Sequence, residues 1–231
     1  MSPSSATNAT LRPELALARE TGARLIAGVD EVGRGALAGP VTVGVVVIDL
    51  DALPAEVIAA ETGVWPVLDG VRDSKLLSPG MRKSWHPSIC EQAQAYSVQH
   101  SAAELIDAAG ISAAMGAAGR AGLAEVTERL GRPPDVVLLD GIHNWLQAPE
   151  VPVRTMAKAD TLALSVACAS VLAKVERDGL MEDLAAAHPE FGWESNKGYG
   201  SAQHREAICQ LGPTAYHRQS WSLVKPALPG L

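Results

Sequence analysis

The chain has 231 residues, 47% of them hydrophobic and 19% charged, a globular composition with room for one large domain or two small ones. Its net charge of −7 argues against a uniformly basic nucleic-acid binder, but residues 191–231 carry four basic and two acidic side chains while residues 1–70 carry four and nine. Three cysteines far apart (Cys90, Cys168, Cys209) exclude a disulfide framework or a thiolate zinc site, and fit reduced thiols in a cytoplasm.

Met1–Thr10 is rich in Ser, Ala, Thr and Asn, with neither the basic start nor the apolar core of a signal peptide. A disordered tail is expected over residues 1–20, followed by a single domain from 21 to 231. Arg24–Asp30 reads as a first, buried strand, and Gly39-Pro40 breaks the chain before a second, Val41–Ile48. Asp73-Ser74-Lys75 falls in a loop, and Ser78-Pro79 has the form of a helix N-cap and first helical residue. Ala95–His100 alternates as a third strand. Ser112–Leu130 places Met115, Ala118, Gly122, Val126 and Leu130 on one helical face and ends at Gly131. Asp135–Asp140 is continuously apolar up to its last residue, as a central parallel strand would be, and Val151–Met156 is a short fifth strand. One long helix is expected from Asp160 to about Ala187, containing the most apolar run, Leu162–Ala173, which is too short to span a bilayer. A last helix near Ser201–Leu211 precedes a tail containing proline. This order implies an α/β fold: a mixed five-stranded sheet flanked by helices, with a small helical C-terminal lobe from about residue 190.

The most informative stretch is Gly28-Val29-Asp30-Glu31-Val32-Gly33-Arg34-Gly35, two carboxylates closing an apolar strand before a glycine-flanked cation. Asp140 likewise ends a strand and is followed by Gly141. If the first and fourth strands are parallel neighbours, Asp30 and Asp140 lie side by side. Clustered carboxylates repel unless cations bind them, and an all-oxygen set favours Mg²⁺ or Mn²⁺. Two such ions suit in-line displacement at a phosphodiester. Glu31 can join only if the backbone turns there, which Gly33 permits. Asp160 is a supporting candidate that helix capping would explain equally well, and a solvated helix face accounts for Asp178. In Asn196-Lys197-Gly198-Tyr199-Gly200 an exposed Tyr199 could stack on a sugar or base and use its hydroxyl to sense a 2′-OH. His143, His204 and His217 lack ligand spacing, so core or surface roles are expected.

Together these pieces resemble type 2 ribonuclease H, in its bacterial ribonuclease HII branch. The carrying segments are Gly28–Gly35 with Ala38–Val41, Asp73–Lys75, Leu139–Gly141, Lys158–Asp160, Ala169–Val175, Arg177-Asp178 and Asn196–Gly200. Ala159 stands where the family usually has glycine, Ala36 replaces a frequent proline, and Ser201 a frequent threonine. The short stretch before the first strand, and an aspartate at 160, favour this branch over the sister HIII branch.

The resemblance implies an RNase H-like fold and an acidic quartet of Asp30, Glu31, Asp140 and Asp160 holding Mn²⁺ or Mg²⁺. It further implies substrate contacts from Gly33, Arg34, Gly35 and Tyr199. Ser74, Lys75, Lys174, Arg177 and Lys197 are the remaining candidate substrate-binding residues. Implied partners are RNA–DNA hybrids and DNA with embedded ribonucleotides, cut on the 5′ side to leave 3′-hydroxyl and 5′-phosphate ends, in primer removal and ribonucleotide excision. A monomer is expected. Two rivals stay open: another two-metal nuclease of this architecture acting on DNA, and a catalytically silent nucleic-acid-binding module.

Overall fold

A computed structural model describes residues 8–223. In chain order it contains α1 (Arg12–Thr21), β1 (Leu25–Val32), β2 (Val41–Asp49), α2 (Ala55–Ala59), α3 (Pro79–Gln92), β3 (Ala95–Ser101), α4 (Ala103–Ala109) and α5 (Ile111–Leu130). There follow β4 (Val136–Asp140), β5 (Val153–Met156), α6 (Ala159–Leu162), α7 (Leu164–Ala187), α8 (Trp193–Asn196) and α9 (Ala202–Leu211). The five strands form one sheet in the order β3-β2-β1-β4-β5; β1 pairs antiparallel with β2 and parallel with β4. Among the described residues no helix is long and apolar enough to cross a membrane.

The two faces of the sheet follow from strand alternation. Ile26, Val136 and Leu138 join the core beneath α7, whereas Leu25, Ala27, Val29, Val137 and Leu139 pack with α5 residues Ala118, Leu123 and Val126. Helix α7 can lie against the middle of the sheet because Gly28 and Gly44 carry no side chain. A Cβ at Gly28 would overlap the Ser165 backbone, and one at Gly44 the carbonyl of Ala169. Asp30 is two residues beyond Gly28 and therefore points to the α7 face.

The N-terminal segment departs from expectation. Residues 1–7 lie outside the described residues, but Arg12–Thr21, expected within a disordered tail, is helix α1 with Leu15, Leu17 and Ala18 buried. The sequence does carry helix signals there, Pro13 in the first turn and Gly22 in the left-handed region after the last (φ 79°), but ten residues do not hold a helix alone and it is stabilised by tertiary packing. The same segment divides the helix expected to run unbroken from Asp160. Thr10 bridges Ala163, which is extended (φ −97°, ψ 126°), so α6 ends and α7 starts anew. The N-terminus of α7 is capped from α1, where Glu14 Oε1 accepts from the Ser165 amide (2.8 Å) and hydroxyl (2.7 Å).

Glu14 has no exposed surface, and its Oε2 has no partner. Burial raises its pKa from 4.5 to about 7, against the pull of the Ser165 hydrogen bonds. A carboxyl whose folded pKa is raised binds more protons folded than unfolded, so stability falls as pH rises from about 4.5 through 7. Glu14→Gln removes the charge and keeps the acceptor. The stability difference between variant and wild type is therefore expected to move in the variant's favour by about 2–3 kcal/mol between pH 5 and 8. Urea unfolding at the two pH values reads this directly, and parallel pH profiles would reject it.

Candidate active site

Parallel pairing of β1 and β4 ends in register at Val29 with Leu139, so Asp30 and Asp140 are the next residues on adjacent strands. Contrary to the expected turn at Glu31, strand β1 stays paired to β2 through Val32, and the turn comes at Gly33 (φ 84°). Glu31 nevertheless reaches the site because β4 stops at Asp140, leaving the sheet open beside it. Asp30, Glu31 and Asp140 line one cavity of about 480 Å³ together with Gly33, Arg34, Gly35, Ser74, Lys75, Lys174 and Tyr199. A larger cavity of about 610 Å³ lies against α5, where apolar side chains and Pro133 and Pro149 supply most of its lining and no chemistry converges.

Asp30 is almost wholly buried and its Oδ2 has no hydrogen-bond partner. Burial, and then the neighbouring Glu31 carboxylate, hold its pKa well above the usual carboxylate range. Burial likewise raises Glu31, with Arg34 opposing (Arg34 Nη1 to Glu31 Oε1, 3.5 Å). Asp160 does not itself line the cavity but is tied to it: its amide donates to Asp140 Oδ1 (3.3 Å), and its carboxylate pairs with Lys75 Nζ (3.3 Å). Burial and the Asp140 charge raise its pKa. Burial disfavours the Lys75 ammonium, but Asp30, Asp73 and Asp160 together outweigh it and hold the proton on. Lys75 thus serves as a built-in counter-cation for the acids. Among the described residues no three His, Cys, Asp or Glu side chains are drawn close enough to hold an ion ready-made. The orphaned Asp30 oxygen is the feature that suits a cation.

The other candidates divide. Lys174 lines the cavity while pairing with Asp178 (2.7 Å). Ser74 lies in the cavity wall with its hydroxyl bonded to Ser170 (2.8 Å). Lys197 is turned away, to Glu182 (2.7 Å) and the carbonyl of Glu194. Arg177 has no exposed surface, so it cannot meet substrate as expected. Its guanidinium donates to the carbonyls of Pro40, Ala38 and Lys197 and lies 5.6 Å from the centre of the Tyr199 ring. Asp178 is buried between Lys174 and Arg82, not on a solvated face. Both corrections have one cause: the C-terminal lobe and α3 cover a part of α7 that its own sequence leaves ambiguous.

Tyr199 is 39% exposed at the cavity mouth. Gly198 (φ 83°) lets its loop dock so closely that a Cβ there would overlap the carbonyl of Ala38, while Leu37 and Ala38 donate to the Gly198 carbonyl. His204 Nδ1 donates to the Tyr199 carbonyl (2.9 Å), leaving Nε2 to accept from Trp193 Nε1 (3.0 Å). His204 and His217 are buried core residues and His143 is exposed, as expected. Ser170, Asp73 and Arg218 were not among the candidate residues, although Asp73 and Ser170 lie in segments that carry the resemblance; for Arg218 the only signal was a His-Arg pair at 217–218.

A parallel β1–β4 pair followed on each strand by an aspartate, beneath one long helix of a β3-β2-β1-β4-β5 sheet, defines a nuclease of the ribonuclease H class. The solved ribonuclease H2 of Pyrococcus horikoshii is similar over 86% of this chain and 94% of that one, with a TM-score of 0.64 and 27% identity. A ribonuclease HIII solved in complex with Mn²⁺ shares the fold over 89% of this chain and 70% of its own (TM-score 0.66, 20% identity). The family model for ribonuclease HII matches residues 27–224, and a ribonuclease HII of Streptomyces avermitilis is 42% identical over 216 residues, 94% of this chain and 84% of the relative. The chain belongs to the ribonuclease HII family. Its activity is that of an endoribonuclease acting on the RNA of RNA–DNA hybrids.

Proposed function

We propose that this chain also cuts on the 5′ side of a single ribonucleotide embedded in duplex DNA, leaving 3′-hydroxyl and 5′-phosphate ends. Asp30, Glu31, Asp140 and Asp160 would hold Mg²⁺ or Mn²⁺, with Asp30 and Asp140 as the central pair. The observation carrying this is the buried, unpartnered Oδ2 of Asp30 one residue past the end of the β1–β4 register. An orphaned carboxylate oxygen in a polar cavity is costly unless a cation completes it. Bound divalent ions supply an activated water and stabilise the leaving oxygen. The protein's own groups do the rest. Lys75 neutralises the acids before metal arrives, and Lys174 offers a cation to the phosphate backbone. Gly33, Arg34, Gly35 and Tyr199 line the same cavity as the acids, where a sugar bearing a 2′-OH would be read.

The test is a duplex carrying one ribonucleotide, with and without Mn²⁺ or Mg²⁺, with product ends mapped. A single metal-dependent cut 5′ to the ribonucleotide is the expected result. Cleavage of an all-DNA duplex at a comparable rate would favour the DNA-nuclease rival, and tight binding without cleavage in either metal would favour the silent module.

A further inference from the structure

Two arginines, Arg177 and Arg218, are wholly buried behind the Gly33–Gly39 loop, and neither has a carboxylate within ion-pairing distance among the described residues. Arg218 Nη2 donates to the carbonyls of Gly33 (2.6 Å) and Gly39 (3.2 Å), and Nη1 to that of Arg34 (2.8 Å). Its guanidinium also lies 4.8 Å from the centre of the Trp221 ring. The segment carrying it is tied down by Asp107, which accepts from the amides of Gln219 and Ser220 and from the Ser220 hydroxyl. Burial, and then the charge of Arg177, lower the pKa of Arg218 to about 10. A cation placed there at that cost, with every donor contact made to main chain, fixes the shape of the loop.

What it fixes follows from peptide geometry. In a planar trans peptide the carbonyl and the next residue's N–H point in opposite directions. Drawing the Gly33 and Arg34 carbonyls inward therefore turns the amides of Arg34 and Gly35 away from Arg218, and both residues line the acidic cavity. Among the described residues neither amide donates to a protein acceptor, whereas Ala36 donates back to Gly33 (3.2 Å).

We propose that Arg218 is a positioning residue for ribonucleotide recognition, holding three loop carbonyls inward so that the amides of Arg34 and Gly35 stand ready for the substrate. The proposal rests on substrate lying over Asp30 and Asp140 as described above. Arg218→Ala frees the loop without touching the acids. On a single embedded ribonucleotide kcat is expected to fall about 100-fold, the scale of a misplacement near 1 Å. KM should change little, because the rest of the duplex still binds. A continuous hybrid offers alternative registers and should lose far less.

Millimolar guanidinium is expected to restore much of the lost kcat by refilling the vacated site, and urea at the same concentration is not. Arg218→Lys keeps the charge but not the fork, and should fall between alanine and wild type. Equal losses on both substrates without guanidinium rescue would overturn the proposal, as would wild-type kcat in Arg218→Lys; the lysine variant decides if the alanine variant does not fold. Thermal stabilisation by Mn²⁺, measured in parallel, should be the same in wild type and variants. If wild type shows none, it is the acidic-site reading that has failed and not the role of Arg218.

Discussion

Asp30→Asn, and separately Asp140→Asn, should abolish cleavage, with a loss of at least about 1000-fold, or ~4 kcal/mol of transition-state stabilisation. Each keeps the side-chain shape and removes one negative oxygen from the place where the first and fourth strands end together. The expected effect is larger for Asp30, because its Oδ2 has no protein partner that an amide could keep. Folding should survive. Burial and Glu31 already hold the Asp30 carboxyl well above its ordinary pKa, so neutralising it relieves repulsion, and the metal-free variant should melt at or above the wild-type temperature. Thermal melts with and without Mn²⁺ separate the effects: wild type should be stabilised by the ion and Asp30→Asn should not. Activity within about tenfold of wild type in saturating Mg²⁺, a loss under ~1.4 kcal/mol, would remove Asp30 from the metal-binding set.

Tyr199→Ala should show a loss that depends on substrate. The ring stands at the mouth of the acidic cavity with its backbone held by His204 and Asn196, so truncation removes the side chain without unseating the loop. Stacking on a base or sugar contributes about 1–3 kcal/mol, which gives a roughly 5- to 150-fold loss on a single embedded ribonucleotide. On a continuous hybrid the loss should be smaller. Tyr199→Phe keeps the ring and its contact with the Arg177 guanidinium, and should lie between alanine and wild type. Calorimetry should find Mn²⁺ affinity unchanged in both. An equal loss on the two substrates, or altered metal affinity, would make Tyr199 a scaffold residue.

Much of the fold was legible because the signals were local. Continuous apolar runs ending in a carboxylate marked β1 and β4, alanine-rich periodicity marked α5, and Gly131 marked its end (φ 71°). The acidic positions were legible for the same reason, since a charge ending an apolar strand stands out against its neighbours. Helix α1 was not read despite Pro13 at its start and Gly22 at its end, because ten residues do not hold a helix unaided and the packing that does so comes from distant segments. The break at Ala163 was not either, because nothing in that residue prefers extension; Thr10 imposes it from far along the chain.

Sequence alone determined the order of the strands along the chain, the strand-end acids Asp30 and Asp140, and the glycine-flanked positions of Arg34 and Tyr199. These rest on periodicity and on glycine's freedom at a turn, properties a residue carries with it. Tertiary structure alone decided which charges face water. Asp178, expected on a solvated face, Arg177, expected to meet substrate, and Arg218 are all buried in the fold, because burial depends on what another segment places over a side chain. It also decided that Glu31 reaches the cavity from a straight strand, since the opening beside it exists only because β4 ends at Asp140. Charge is written in the sequence, but its surroundings, and so its chemistry, are set by packing between distant parts of the chain.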